Sequence, residues 1–319
     1  MSPALSRRLR LAVNPRTWSS FATNAAWSRA GSCAAPDVRL SVDEPIAVRW
    51  PLHYHEPVAE SFVAPLKDGL AALATIVATD IAQPYAGIVL IDVDIAGERH
   101  RIAVDYSDLT DVNAACVAEV HTYFKFQCLG SGYPAIANVQ PGGYVASSAF
   151  LYANWCRLRA LRNRAPASSD VFGRFGLRWG APVREAAMSL LEADPEIEFS
   201  GGTRFTQHGR YMREMARSKV CVDMPGQGPF CCRMVDGLAM GCCIVTKRHS
   251  TVLPVDLREG VEILYCADDL SDLADLCKAY ASDDSKRMPI EAAAAKYFDE
   301  NLHPVRLAEH YIRTLAAHA

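Results

Sequence analysis

The sequence predicts an α/β chain built as two Rossmann-like domains facing each other across a cleft. Three observations carry this. From residue 170 onward, short apolar strands alternate with helix-length segments, the pattern of parallel βαβ units. Within that half, residues 220–246 read as strand, Gly/Pro-rich loop, helix and strand in one unbroken unit. The chain has 319 residues, enough for two domains. The organisation expected is a first α/β domain over 1–150, a linker over 151–169 and a second domain over 170–319 that includes the terminal helices.

In chain order, the first 36 residues hold five arginines and no acidic residue. Residues 9–13 read as a strand opening the first domain. A targeting segment, or a basic helix that touches a membrane surface, is the alternative. Residues 60–83 are long and mostly apolar and read as a helix. Residues 87–95 and 99–106 are β-rich around Ala96-Gly97-Glu98, so a hairpin is expected. Residues 119–127 form a further strand ending near Lys125, and 140–144 form a loop. Residues 149–161 are compatible with a helix. The closely spaced Arg157, Arg159, Arg162 and Arg164 read as a solvated helix face, and 165–169 as linker.

The second half continues with a strand at 171–175, a helix at 182–193 with Pro in its first turn, and a strand at 197–200. A helix at 211–216 precedes the 220–246 unit. After it come a strand at 261–266 and helices at 270–280, 286–298 and 305–317.

Composition narrows the function. Half the residues are hydrophobic, 22% are charged, and the net charge is -3, with a sequence pI near 6.3. Nothing there supports a nucleic-acid-binding surface. No apolar run reaches the roughly 18 residues a membrane span needs. The eleven cysteines include the adjacent pairs Cys231-Cys232 and Cys242-Cys243 and lack zinc spacing. They read as reduced, buried thiols in a cytoplasmic protein, with membrane association only through the basic start of the chain.

The 220–246 unit carries the chemistry. The loop Pro225-Gly226-Gln227-Gly228-Pro229 lets backbone N–H groups approach an anion. The helix behind it adds the partial positive charge of its N-terminus. Arg233 lies in the first turn and can fork two hydrogen bonds to a diphosphate. Asp236 is three residues on, on the same helix face, placed for a ribose hydroxyl. A plain Arg233–Asp236 surface pair is the competing reading. Walker A is excluded by the missing G-K-[ST], and the dinucleotide fingerprint by the missing third glycine. That disfavours a Rossmann oxidoreductase.

The run YMREMARSKVCVDMPGQGPFCCRMVDGLAMGCCIVT, with LPVDLREGVEILYC, DDLSDLADLC and AAAAKYFDENLH after it, resembles the donor-binding domain of GT-B glycosyltransferases. The nearest patterns are the exostosin-like and capsule-associated O-glycosyltransferase families. Arg233, Asp236 and Gly241 match their order of strand, small-residue loop, arginine, acidic residue and helix end. DVFGRFG followed by VREAAMSLL resembles the opening of the same domain, with Gly173, Arg174 and Arg184 at the matching positions.

The resemblance covers about residues 170–311 and implies sugar transfer from a nucleotide-sugar, UDP type favoured, to a glycan or small-molecule acceptor. It implies no metal or other cofactor: Arg174, Arg233 and the helix N-terminus would stabilise the leaving diphosphate. Retaining members carry Glu before and on the loop helix. Gln227 and Asp236 stand here instead, which slightly favours inversion.

The acceptor base is expected in the first domain. Asp105 and Asp108 follow a strand and can face the cleft, although Asp108 is equally a helix N-cap. Lys125 at a strand end could meet phosphate or acceptor, or simply snorkel. His249 could reach the donor or lie at the surface. His53 and His55 read as incidental. Asp92-Val93-Asp94 copies a manganese motif of the other large glycosyltransferase fold, but sits in an alternating strand that puts both carboxylates on one face. A non-catalytic nucleotide or phospho-ligand binding protein on the same fold is the alternative function. Oligomeric state is not legible.

Overall fold

The computed structural model describes residues 35–38, 40, 45–146 and 148–317. The strand expected at 9–13, and nearly all of the basic first segment, lie outside them.

The first sheet has the order β2-β1-β3-β4-β5-β6: β1 Ala47–Pro51, β2 Thr75–Thr79, β3 Ile88–Ile95, β4 Glu98–Asp105, β5 Thr122–Lys125 and β6 Val139–Pro141. It is mixed. The β3–β4 hairpin runs antiparallel, and β4, β5 and β6 are parallel. The hairpin turns on Ala96 and Gly97, both at positive φ (54° and 83°). That is the type I′ geometry which matches strand twist, and it is why glycine stands at the second position. Asp92 and Asp94 share a face of β3 and are held by arginines of the neighbouring strands. Arg101 binds Asp92 at 2.8 Å, and Arg49 and Arg99 bind Asp94 at 3.0 and 2.9 Å. These are cross-strand charge pairs.

The helix expected over 60–83 stops early. Helix α1 spans Ala59–Ala71, and the β-branched run Thr75-Ile76-Val77 becomes β2, which pairs in parallel with β1. Stiff β-branched side chains favour the pleated sheet. A short α2, Ala114–Glu119, is capped by the Asn113 side chain.

Helix α3, Ala149–Arg164, occupies most of the segment expected as linker, and Leu151, Asn154, Trp155 and Leu158 are buried. Arg164 is exposed as expected, but Arg159 and Arg162 do not belong to a solvated face. Arg159 donates to the Ala239 carbonyl at 2.6 Å and to Asp299 at 2.7 Å. Arg162 donates to the Ser218 and Lys219 carbonyls at 2.6 and 2.9 Å. Carbonyl oxygens beside an oriented guanidinium outcompete water here.

The second sheet has the order β11-β10-β9-β7-β8: β7 Ser169–Arg174, β8 Phe199–Gly202, β9 Ser218–Asp223, β10 Cys243–Lys247 and β11 Leu264–Cys266. Every pairing is parallel. Both faces are covered, so consecutive residues enter different cores. Val171, Val220 and Val245 join one cluster, and Phe172, Cys221 and Ile244 the other. That alternation explains why the central residues of β7, β9 and β10 are apolar on both sides. The helices are α4 Ala181–Ala193, α5 His208–Ala216, α6 Cys232–Met240, α7 Leu273–Ala281, α8 Asp284–Tyr297, a π turn Phe298–Leu302 and α9 Pro304–Ala316. Helix α6 ends as expected at Gly241 (φ 68°). The Gly241 and Cys242 N–H groups return to the Leu238 and Gly237 carbonyls, a Schellman closure.

Helix α9 crosses back to the first half. Gly69 of α1 lies so close to the Pro304 carbonyl that a Cβ would stand 2.0 Å from its oxygen. Tyr311 stacks on Phe124 of β5 with centroids 3.8 Å apart. Accordingly one buried apolar cluster runs from Val48 and Trp50 through Val235 and Leu238 to Leu307 and Tyr311. The described cysteines other than Cys156 are free thiols, and most are buried. Cys156 is disulfide-bonded, which departs from a uniformly reduced chain. Among the described residues no helix is long and apolar enough to cross a membrane.

Candidate functional site

In the second sheet, β7 is the first strand in sequence and lies between β8 and β9. The connection after β7 leads outward to β8 and the one after β9 leads the other way to β10, so the strand order reverses between β7 and β9. In open α/β sheets ligands bind outside the carboxyl ends of the strands at that point. A cavity of about 310 Å³ lies here. Arg174, Phe175 and Gly176 from the end of β7 line it, with the 203–206 loop after β8, His208 and Tyr211 of α5, and Cys232 and Arg233 of α6. Two of the residues expected for the donor, Arg174 and Arg233, are thus brought together.

Arg233 is fixed by Asp223, the last residue of β9, at 2.7 Å, and by the Met224 carbonyl at 3.0 Å. Burial opposes its charge, but Asp223 more than offsets that and holds the guanidinium protonated above its ordinary range. It also lies 5.8 Å over the Phe175 ring. Arg174 donates to Glu214 at 3.0 Å and to the Arg204 carbonyl at 3.1 Å, and its Nε is buried without a partner. The N-cap of α6, Cys231, provides no side-chain cap. The first-turn N–H groups of α6 beside Cys232 and Arg233 therefore remain a donor set for an anion.

Arg184 stands behind the cavity. It is 5% exposed and donates to the Gly176 carbonyl at 2.5 Å and to the Met224 carbonyl at 3.2 Å. It ties the loop after β7 to the loop after β9. Burial, then the Arg233 charge, pulls its pKa below the usual arginine value. Gly226 is needed for this: a Cβ there would stand 2.8 Å from the Arg184 Nη2. Gly173 lies in β7 packed under Phe175 and Phe199.

The other expected residues lie elsewhere. Asp236 is fully buried on α6 and does not line the cavity. The three-residue spacing did put it near Arg233, but α6 turns that side into the core, and Arg233 takes Asp223 as its partner instead. Gly228 contacts the first half: a Cβ there would stand 2.3 Å from the Gln127 side-chain nitrogen and 2.7 Å from the Asp108 carbonyl oxygen. Its smallness serves the junction between halves rather than an anion cradle. His249 is engaged by the Thr251 carbonyl at 3.0 Å and the Tyr265 hydroxyl at 3.1 Å, and burial lowers its pKa.

Asp105 is 2% exposed. Its carboxylate accepts from Lys125 Nζ at 2.8 Å, the Tyr123 hydroxyl at 2.5 Å and the Ser107 N–H at 2.9 Å. Lys125 is itself fully buried and also donates to Ser107 at 2.9 Å. Asp105 and Lys125 neutralise each other inside the first half, so neither reaches the cleft. Asp108 is exposed and accepts from the Tyr144 hydroxyl at 2.9 Å.

The sequence reading missed Asp223, Tyr211, His208, Phe175 and Phe205, and at the junction Gln127. Asp223 had a usable signal: a carboxylate ending an apolar strand directly before a Gly/Pro loop. The aromatic residues had none, because they come from three separate elements.

No family model matches the chain, and no curated protein matches it. Solved structures with partial similarity include HepE of Anabaena in complex with UDP-glucose, at 15% identity and TM-score 0.39, covering 58% of this chain and 59% of that one. A glycosyltransferase of Rickettsia africae has 9% identity and TM-score 0.41, covering 66% of this chain and 68% of its own. TarM has 10% identity and TM-score 0.44, covering 62% of this chain and 44% of its own. The chain thus spans about three fifths of the length of HepE.

Proposed function

We propose that this chain is a glycosyltransferase that moves a sugar from a nucleotide-sugar, UDP type favoured, to an acceptor hydroxyl. The observation that carries this reading is the cavity at the β7/β9 reversal, where Arg174, Arg233 and the start of α6 converge. The resemblance of residues 170–311 to donor-binding domains supports it.

In this reading the acceptor oxygen attacks the anomeric carbon as the bond to the terminal phosphate oxygen breaks. The bonding pair leaves with the nucleoside diphosphate. Arg174, Arg233 and the α6 N–H groups are fixed donors that stabilise that charge. No metal is assigned a role. Asp108 takes the acceptor proton. It is preferred over Asp105 because its carboxylate is exposed, on a loop whose backbone touches Gly228 of the second half. Direct displacement assisted by one base gives inversion.

The sequestration of Asp105 favours one rival, a non-catalytic nucleotide or phospho-ligand binding protein on the same fold. Calorimetric titration of UDP-, GDP- and dTDP-sugars against wild type and Arg233→Ala tests the donor site. No binding by any sugar nucleotide, or no loss on mutation, removes the proposal. Donor turnover with candidate acceptors, compared between wild type and Asp108→Asn, separates the enzyme from the rival. A binder shows no turnover in either.

A further inference from the structure

Phe205 is 97% exposed, yet it is part of the cavity lining. A ligand that entered the cavity would meet this ring at its mouth. The ring extends a wall that is already aromatic. Phe175, His208 and Tyr211 line the same cavity, with His208 and Tyr211 5.4 Å apart between ring centroids. Arg174, Arg204 and Arg233 supply the cationic side. The two sides meet where Arg233 lies over Phe175 at 5.8 Å.

We propose that the aromatic side of this cavity binds the nucleobase, and that Phe205 closes over it by stacking. This rests on the reading of the cavity as a nucleotide-sugar site and adds which part of the ligand each wall takes. A planar heterocycle carrying an anionic tail satisfies both walls at once. A sugar phosphate would use the cationic wall alone. A lipid-linked phosphate would need a long apolar channel, and about 310 Å³ is at the small end for a ligand pocket. Burial pushes His208 down to about 4. At neutral pH it therefore presents an uncharged ring, suited to a heterocycle rather than to a phosphate.

The test is calorimetric titration of UDP, GDP and inorganic pyrophosphate against wild type, Phe205→Ala, Phe205→Tyr and Arg233→Lys. Phe205 is exposed, so its variants keep the fold. In wild type the better-bound nucleotide should bind at least tenfold tighter than pyrophosphate. Phe205→Ala should erase that advantage and leave pyrophosphate affinity unchanged, and Phe205→Tyr should keep it. Nucleotide affinity unchanged in Phe205→Ala, or pyrophosphate bound as tightly as nucleotide by wild type, overturns the inference. If Arg233→Lys loses pyrophosphate while Phe205→Ala changes nothing, the donor site stands and only the base wall falls. If wild type binds none of the three, the donor-site reading fails first and takes this inference with it.

Discussion

Arg184 and Arg233 donate to the same backbone carbonyl, that of Met224: Arg184 Nη2 from 3.2 Å and Arg233 Nη2 from 3.0 Å. One oxygen thus joins a buried guanidinium that faces no ligand to one that lines the cavity. Among the described residues, Arg233 bonds the Asp223 carboxylate, and Arg184 bonds carbonyl oxygens and a sulfur. Arg184 sets the shape of the two loops, and Arg233 presents the charge.

The two arginines should therefore fail in different ways. Arg184→Met takes the guanidinium donor from the Gly176 carbonyl and leaves the Met224 carbonyl to Arg233, so a loss of about 2–4 kcal/mol in unfolding free energy is expected. Arg233→Lys keeps a cation beside Asp223 and should stay within about 1 kcal/mol of wild type while losing tenfold or more in nucleoside diphosphate affinity. Urea unfolding and calorimetry on the same preparations check the split. Equal losses of stability in both variants would mean that Arg233 is only structural.

Gln127 is the corresponding clasp between halves. It is fully buried. Its Nε2 donates to the Phe230 carbonyl at 2.7 Å, and its Oε1 accepts from Thr251 at 2.6 Å and from the Phe230 N–H at 3.3 Å. Gln127→Leu fits the space but strands all three partners. A cost of about 2–4 kcal/mol is expected, together with faster amide exchange at Phe230 and in the 128–130 and 250–252 segments that pair beside it. An unchanged exchange pattern would contradict the clasp.

How much of this was readable follows from which contacts are local. The parallel second sheet was legible because two-sided burial makes the centres of β7, β9 and β10 apolar and turn residues punctuate them. Gly241 was legible because a helix end needs the left-handed conformation. The hairpin at Ala96-Gly97 was readable for the same kind of reason. The β2 strand was not, because an edge strand after a helix shares its apolar run and only the β-branched residues mark it. In the site, Arg174 and Arg233 were visible as cations at element ends. Asp236 misled because helical spacing gives two residues a common side without saying which way that side faces. Asp105 misled because its partner Lys125 lies on a different strand. Gln127 was invisible, since its meaning lies wholly in Phe230 and Thr251, more than a hundred residues away in sequence.

The Lys125–Asp105 pair makes its own prediction. Both side chains are nearly inaccessible (0% and 3%). Removing one partner strands a buried charge, so Lys125→Met alone should cost about 3–5 kcal/mol. Lys125→Met combined with Asp105→Leu should recover much of that, because both charges are then gone. A double-mutant cycle by chemical denaturation measures the coupling. Additive losses would show that the pair does not interact as the geometry requires.

Acid should unfold the protein through its buried histidines, and His303 and His208 are the two lowered to about 4. His303 caps α9 by accepting the Val305 N–H at its Nδ1, which requires that nitrogen to be unprotonated. Burial first, then Arg159 and Arg306, lowers its pKa to about 4, and burial alone does the same for His208. In the unfolded chain both take a proton near 6.5. Below that pH the unfolded state binds protons that the folded state refuses, so stability falls with falling pH. The contribution is fully present above about 6.5 and is lost progressively as pH drops toward 4. Melting temperature recorded between pH 7.5 and 4.5 should fall steadily over the lower part of that range. His303→Asn keeps a side-chain oxygen that can cap α9 but does not titrate there, so it should flatten the slope. A slope identical to wild type would show that His303 does not carry the effect.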